Sequence, residues 1–242
     1  MRLSPGMRDN LAKRHQVSIA TADQQTAVPQ ASADSLHLKI VELDQDRAEL
    51  RARFTRVADR VEHKRMVLIP KYAPLAEQFL ASGKSYDNPV FSTVLVWLFD
   101  VGELEKAIDW CLKSIELDVP TPDYIKRGWP TFCADQVLEW AEANAKHGNS
   151  VEPYFSQVAD KVTTTWKIHE QIVAKFYKFK GLQLLRNEDG DIAITSVGSV
   201  ETLNKAKAIL KQAEDVYAKA GVASNIKKID ARIRALETGK NL

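Results

Sequence analysis

The chain has 242 residues, of which 45% are hydrophobic and 27% charged, and carries a net charge of +2, so one large domain or two smaller ones can bury a sizeable core. Its two cysteines, Cys111 and Cys133, exclude a disulfide framework and lack metal-binding spacing, which points to a reducing, cytoplasmic setting. No apolar run has the length of a signal-peptide core or a membrane span; the longest, 90–99, is interrupted by Ser92 and Thr93.

The small net charge conceals strong segregation. Residues 1–20 carry +3, 21–50 carry −4, 51–72 carry +5, 73–160 carry −8 and 161–242 carry +6. Blocks of this kind suit one face for a polyanion and another for a basic partner or for neighbouring copies. Unevenly charged helical surfaces give the same counts, and both readings stand at this point.

In chain order, residues 1–34 read as a basic N-terminal arm and linker. Arg2, Arg8, Lys13 and Arg14 lie in the first fifteen residues, and 16–34 is rich in Ala, Gln, Ser and Thr with no apolar period. The pattern then changes. Leu36, Ile40, Leu43, Arg47, Leu50, Phe54, Val57, Val61, Lys64 and Leu68 alternate spacings of four and three, a heptad seam with charged residues between. Asp34 or Ser35 can cap its start, and Pro70 is expected to end it. A helix of about 30 residues spans roughly 45 Å, so the seam needs a partner helix. Either 72–82 folds back on it, or another copy of the chain covers it through Leu43, Leu50, Phe54, Val57 and Val61. Arg47 and Lys64 in the seam weaken it and select register. Residues 35–85 thus read as a long helix or helical hairpin for self-association.

After a turn at 83–88, residues 86–242 read as helical pairs. Val90, Val94, Trp97, Leu98 and Val101 form one stripe, and Leu104, Ala107, Ile108, Cys111, Leu112 and Ile115 form the next, separated by Gly102. The second stripe resembles the second helix of a tetratricopeptide repeat, with a weaker echo at 203–221, but no 34-residue period is present. Trp97 and Trp110 read as core. Further helices are expected at 131–146, 151–163, 166–186, 200–220 and 223–237, with Gly148 and Gly221 closing two of them. Residues 187–199 hold an Asp-Gly turn and suit a small β-hairpin, near 188–198, or a loop. The fold class is all-α.

Candidate chemistry is sparse. The stretch SGKS at 82–85 lacks the upstream glycine of a phosphate loop, since position 78 is Gln78. Nuclease chemistry needs carboxylates converging on a divalent metal. Asp100, Glu103 and Glu105 ring a helix turn, and Glu188, Asp189 and Asp191 are the best oxygen cluster, which a polar turn explains equally. His15, His37, His63, His147 and His169 are scattered. No catalytic residue, metal site or cofactor is legible. The basic residues say more. Arg53, Arg56, Arg60 and Lys64 follow three-and-four spacing, with Arg51 close by, and make a stripe suited to phosphates. Lys13 and Arg14 add to it from the arm. A solvated helix face with Asp59 and Glu62 as partial partners is the plain alternative.

Several stretches together carry a family resemblance: SPGMR and KRH near the start, TVLVWLFDVGELEKAIDWCLK (93–113), TPDYIKRGWPTF (121–132), KFKGLQLL (178–185) and AGVASNIKKIDARI (220–233). Through these the chain resembles the small terminase subunits of temperate, contractile-tailed double-stranded DNA phages, often labelled the terminase endonuclease subunit. The resemblance implies DNA binding at the packaging site, ring-like self-association, and presentation of DNA to a large subunit that carries the ATPase, all in the host cytoplasm. Where such proteins carry a basic tail after the last helix, this sequence reads Lys240-Asn241-Leu242, which shifts the expected DNA contact to the arm and the long helix. Two other functions stay open: a metal-dependent endonuclease in its own right, and a helical-repeat adaptor with no nucleic-acid role.

Overall fold

The structure, a computed structural model, describes residues 35–239. The arm and linker expected over 1–34, and with them Lys13 and Arg14, lie outside the described residues. The chain divides into two units, one ending at Glu49 and one running from Leu50.

In the first unit, the described residues open helix α1 (Leu36–Arg53). The Ser35 hydroxyl accepts the Leu38 N–H at 3.4 Å, the local cap the sequence allows. Ion pairs Lys39–Glu42 (3.0 Å) and Arg47–Asp44 (3.2 Å) run along the helix at i,i+3 spacing, worth a few tenths of a kcal/mol each. Leu43 is buried, whereas Leu36, Leu38 and Val41 are exposed.

The second unit continues from the last turn of α1 through α2 (Val57–His63), a π-helical turn (Lys64–Leu68) and α3 (Ile69–Ala81). There follow α4 (Pro89–Val101), α5 (Leu104–Glu116), α6 (Trp129–Ala145), α7 (Tyr154–Thr164) and α8 (Glu170–Gln183). A 3-10 turn (Ile194–Ser196), α9 (Val200–Val216) and α10 (Ala223–Glu237) complete it. The described residues contain no strand, so the class is all-α. The hairpin expected near 188–198 reduces to a single antiparallel bridge between Arg186 and Ile192. The Asn187 side chain and backbone close the turn around Asp191, and the chain enters the 3-10 turn three residues later, at Ile194, leaving no length for strands.

The expected uninterrupted rod over the heptad seam is corrected in two places. The chain leaves helical geometry at Phe54–Arg56, where Arg56 is extended (φ −79, ψ 137). No glycine or proline causes the break. Phe54 instead turns back onto α2, its ring 5.0 Å from that of His63, and Arg53 stacks over Phe54 at 5.2 Å. Second, Pro70 does not end the helix; it lies in the first turn of α3. Proline has no N–H to give the carbonyl four residues back, and its ring presses on that carbonyl. The π-helical turn opens the ladder at that point, with the Ile69 N–H donating to Lys64 O five residues earlier, so the helical path continues.

Helix α4 is the centre of the main core. Every residue from 90 to 99 is buried, which explains the longest apolar run without any membrane role: a helix apolar on all faces is enclosed by others. Buried Asn88 caps it, its side chain accepting the Phe91 N–H at 3.1 Å. Phe91 meets Phe79 of α3 at 5.0 Å and Trp110 of α5 at 5.6 Å, and Tyr72 meets Trp97 at 6.2 Å. Both tryptophans of the helical pair are therefore core. Gly102 makes the reversal between α4 and α5 with φ 79, a conformation that costs glycine nothing. No helix among the described residues is long and apolar enough to cross a membrane.

A second cluster joins α8, α9 and α10 through Leu185, Leu203, Ala206, Leu210, Ala213 and Ile229. Gly181 permits the close crossing of α8 and α9, because a Cβ there would lie 2.9 Å from Leu210. The ends of α6 and α8 are locked by a glycine joint. A Cβ on Gly190 would stand 2.4 Å from Ala145 O, and one on Gly148 would stand 2.1 Å from Glu188 O. Both glycines have positive φ. Gly190→Ala should therefore lower stability by about 2 kcal/mol or more, since strain and backbone overlap act together. Chemical denaturation monitored by circular dichroism checks this; a midpoint unchanged from the parent chain would contradict the joint.

Candidate nucleic-acid interface

The basic segment 51–65 begins at the C-terminal end of α1. Arg51 and Arg53 occupy its last turn, where cations offset the partial negative charge of the helix end. The break at 54–56 turns the chain, so Arg53 and Arg56 do not continue one helical line as their spacing predicts. Arg56 directly precedes α2, and Arg60 lies one turn inside it. Arg51, Arg53 and Arg56 are exposed and Arg60 is half-buried. Among the described residues, Arg51, Arg56 and Arg60 enter no ion pair; the only acid in the first turn of α2 is Asp59.

Lys64, the fourth member of the expected stripe, is engaged elsewhere. Its Nζ lies 2.6 Å from Asp100 Oδ2, with the lysine side chain 17% exposed. Arg65 is likewise held, donating to Glu62 at 2.7 Å and to Val101 O at 2.8 Å. These two residues tie the π-helical turn to the end of α4. They pin the basic segment onto the core instead of presenting charge to a ligand. Arg65 was passed over in the stripe because it lies off the three-and-four spacing, and no local pattern reveals a carbonyl 36 residues away. Lys64→Gln should cost about 1 kcal/mol of stability, the scale of a well-formed, partly exposed pair, and lower polyanion affinity less than loss of an exposed arginine of the segment does. Thermal unfolding and a binding titration on the same variant check both halves.

Val57, directly after Arg56, is 66% exposed, and Met66 (65%) and Val67 of the π-helical turn are exposed as well. Of the residues expected to join copies, Leu43 and Leu50 are buried within the chain, Phe54 and Val61 are half-buried, and Val57 stands out to solvent. The structure thus brings cations and apolar surface together at the start of α2.

The other candidate chemistry is accounted for structurally. Asp100 pairs with Lys64. Asp189 and Asp191 flank Gly190 in the turn of the glycine joint, beside Glu188, and no group of three His, Cys, Asp or Glu side chains among the described residues is arranged to hold a metal. SGKS at 82–85 follows the end of α3, with Ser82 as its C-cap and the Ser82 hydroxyl donating to Phe79 O at 2.6 Å. Cys111 and Cys133 are both buried; burial pushes the Cys111 thiol well above its usual range, and neighbouring Cys133 adds to the effect. Such thiols are inert at neutral pH. The acidic block spends two of its cations internally, in Lys106–Glu77 (2.6 Å) and Lys113–Asp109 (2.8 Å), which leaves its surface negative.

Among the described residues the protein is all-helical, with a cationic segment at 51–65 that Lys64 and Arg65 tie to the end of α4. The chain matches the family model described as phage small terminase subunit over residues 40–171, more than half its length, and it belongs to that family. It is 35% identical over 237 residues to a protein of Haemophilus phage HP1 named "Probable terminase, endonuclease subunit", covering 96% of this chain and 83% of that protein. It is 24% identical over 225 residues to the "Terminase, endonuclease subunit" of Escherichia phage P2, covering 92% of this chain and 85% of that protein. No solved structure matches the chain.

Proposed function

We propose that this chain is the terminase subunit that binds viral duplex DNA at the packaging site as an oligomer and presents it to the large, ATP-hydrolysing terminase subunit in the host cytoplasm. The single observation that carries the reading is the family match across residues 40–171, a span that takes in the whole cationic segment. Arg51, Arg53, Arg56 and Arg60 supply the phosphate contacts. Lys64 positions their segment through Asp100, and Lys13 and Arg14 extend the contact from the arm. The exposed apolar side chains beside them, Val57 above all, join neighbouring copies, so that the cationic segments of successive subunits line one surface. Repetition of a small positive patch around an oligomer multiplies phosphate contacts without requiring base-specific reading.

The printed names of the two relatives favour a second reading, in which this subunit itself cuts DNA. Binding of the purified chain to duplex DNA at two salt concentrations, with and without magnesium, separates the two. The proposed role predicts affinity that falls steeply with salt and intact DNA in every lane. Magnesium-dependent nicking that disappears on mutating Glu188, Asp189 or Asp191 establishes the second reading. Absence of DNA binding at low salt leaves a helical protein-interaction module and sinks both.

A further inference from the structure

The π-helical turn sets which side of α2 faces solvent. Each residue of an α-helix turns the chain by about 100°, so the step from Val57 to Leu68 comes within roughly 20° of three full turns. An unbroken helix would therefore hold Val57 and Leu68 on one face, as the heptad seam requires. Yet Leu68 is 2% exposed and Val57 66%. The turn between them, Lys64–Leu68, closes over five residues, with the Ile69 N–H reaching Lys64 O. It takes in one residue more than an α-helical turn, so everything before it is rotated by about 100° relative to α3. That rotation carries Val57 off the face of Leu68 and brings Arg60 and His63, both half-buried, closer to it.

Opposing influences act on this register. Pro70, in the first turn of α3, has no N–H for Met66 O, and its ring would press on that carbonyl in an α-helical turn. The Lys64–Asp100 pair at 2.6 Å and the bond from Arg65 to Val101 O at 2.8 Å fasten the turn in the phase it has. Both α2 and the turn rest on α4. Apolar patterning pulls the other way, because an unbroken helix would gather Val57, Val61 and Leu68 on one side and withdraw Val57 from solvent. The ion pair and the arginine bond are each worth about 1 kcal/mol. Proline at this point of an α-helix costs roughly 3 kcal/mol, the largest of these contributions.

We propose that Pro70 is a positioning residue: by excluding the α-helical turn it keeps α2 rotated and Val57 turned out to solvent. The use of Val57 between copies rests on the self-association proposed above; its outward turn does not. The test is maleimide labelling of the full chain carrying Val57→Cys, read by mass, at a dilution where sedimentation shows single chains. The buried Cys111 and Cys133 report unfolding. Val57→Cys should label fast. Adding Pro70→Ala lets the turn tighten to an α-helix, and labelling at position 57 should slow by roughly tenfold or more, the difference between an exposed and an enclosed thiol. Deleting Val67 as well removes the extra residue, restores the phase of everything before it, and should return labelling to its first rate. Slow labelling of Val57→Cys itself, no slowing with Pro70→Ala, or no recovery on the deletion overturns the proposal. Fast labelling of Cys111 and Cys133 in the Pro70→Ala chain overturns it too, since proline would then hold the fold and not the register. Light scattering of Pro70→Ala alone separates the two readings. A mass equal to the parent's, with labelling as expected, sinks self-association through Val57 and leaves the role of Pro70 standing.

Discussion

Reversing Arg56 and Arg60 together to glutamate should reduce affinity for duplex DNA by roughly 60-fold or more at 0.1 M salt, for every sequence alike. Each phosphate contact releases condensed counterions and contributes about 0.9 to the slope of log affinity against log salt, so two lost contacts flatten the slope by about 1.8. Extrapolated from 1 M salt, that change in slope alone gives the loss stated, and the introduced carboxylates add repulsion. Both guanidinium groups are free of ion pairs among the described residues, so the change removes no structural bond. Reversing Lys106 and Lys113, which pair with Glu77 and Asp109 inside the acidic block, should leave the slope where it was. Anisotropy over a salt series reads both quantities. Equal effects from the two pairs of reversals would make 51–60 an ordinary solvated surface.

On the proposed self-association through Val57, Val57→Glu should lower the mass of the assembly while helix content stays within a few per cent of the parent. Val57 is 66% exposed, so the charge costs the isolated chain little; in an interface it would be buried without a partner, at several kcal/mol. Leu50→Glu is the contrasting variant. Leu50 is 6% exposed, and the same charge there should unfold the segment instead of merely separating copies. Light scattering gives the mass and circular dichroism the helix content. Val57→Glu of unchanged mass would move self-association away from the start of α2.

The all-α class, the reversal at Gly102, the core placement of Trp97 and Trp110 and the helix end just before Gly148 were legible because each rests on local spacing or on one residue's backbone freedom, whereas Gly221 does not close α9, which stops at Val216 where Tyr217 turns extended. The break at Phe54–Arg56 was not. A ring contact between Phe54 and His63 accompanies it, while the heptad spacing runs on across it undisturbed. Pro70 misled for a related reason: the rule that proline ends a helix assumes an α-helical turn before it, and here a π-helical turn removes the clash. At the candidate site, sequence spacing marks a basic run but does not separate its exposed arginines from Lys64, which is paired within the fold. Lys64 belongs to Asp100, 36 residues away, and nothing local marks that pairing.

The central claim is that DNA lies along 51–61 and avoids the acidic body. Amide hydrogen exchange of the full chain, with and without saturating duplex DNA, tests it most directly. The Phe54 N–H still donates to Leu50 O, but residues 55–57 fall at the break and should exchange fast in the free chain. DNA should slow exchange across 51–61, with no change over 104–142. Protection confined to α9 and α10, around Lys205, Lys211, Lys227 and Lys228, with 51–61 unchanged, would contradict the account and move the DNA to the basic C-terminal helices.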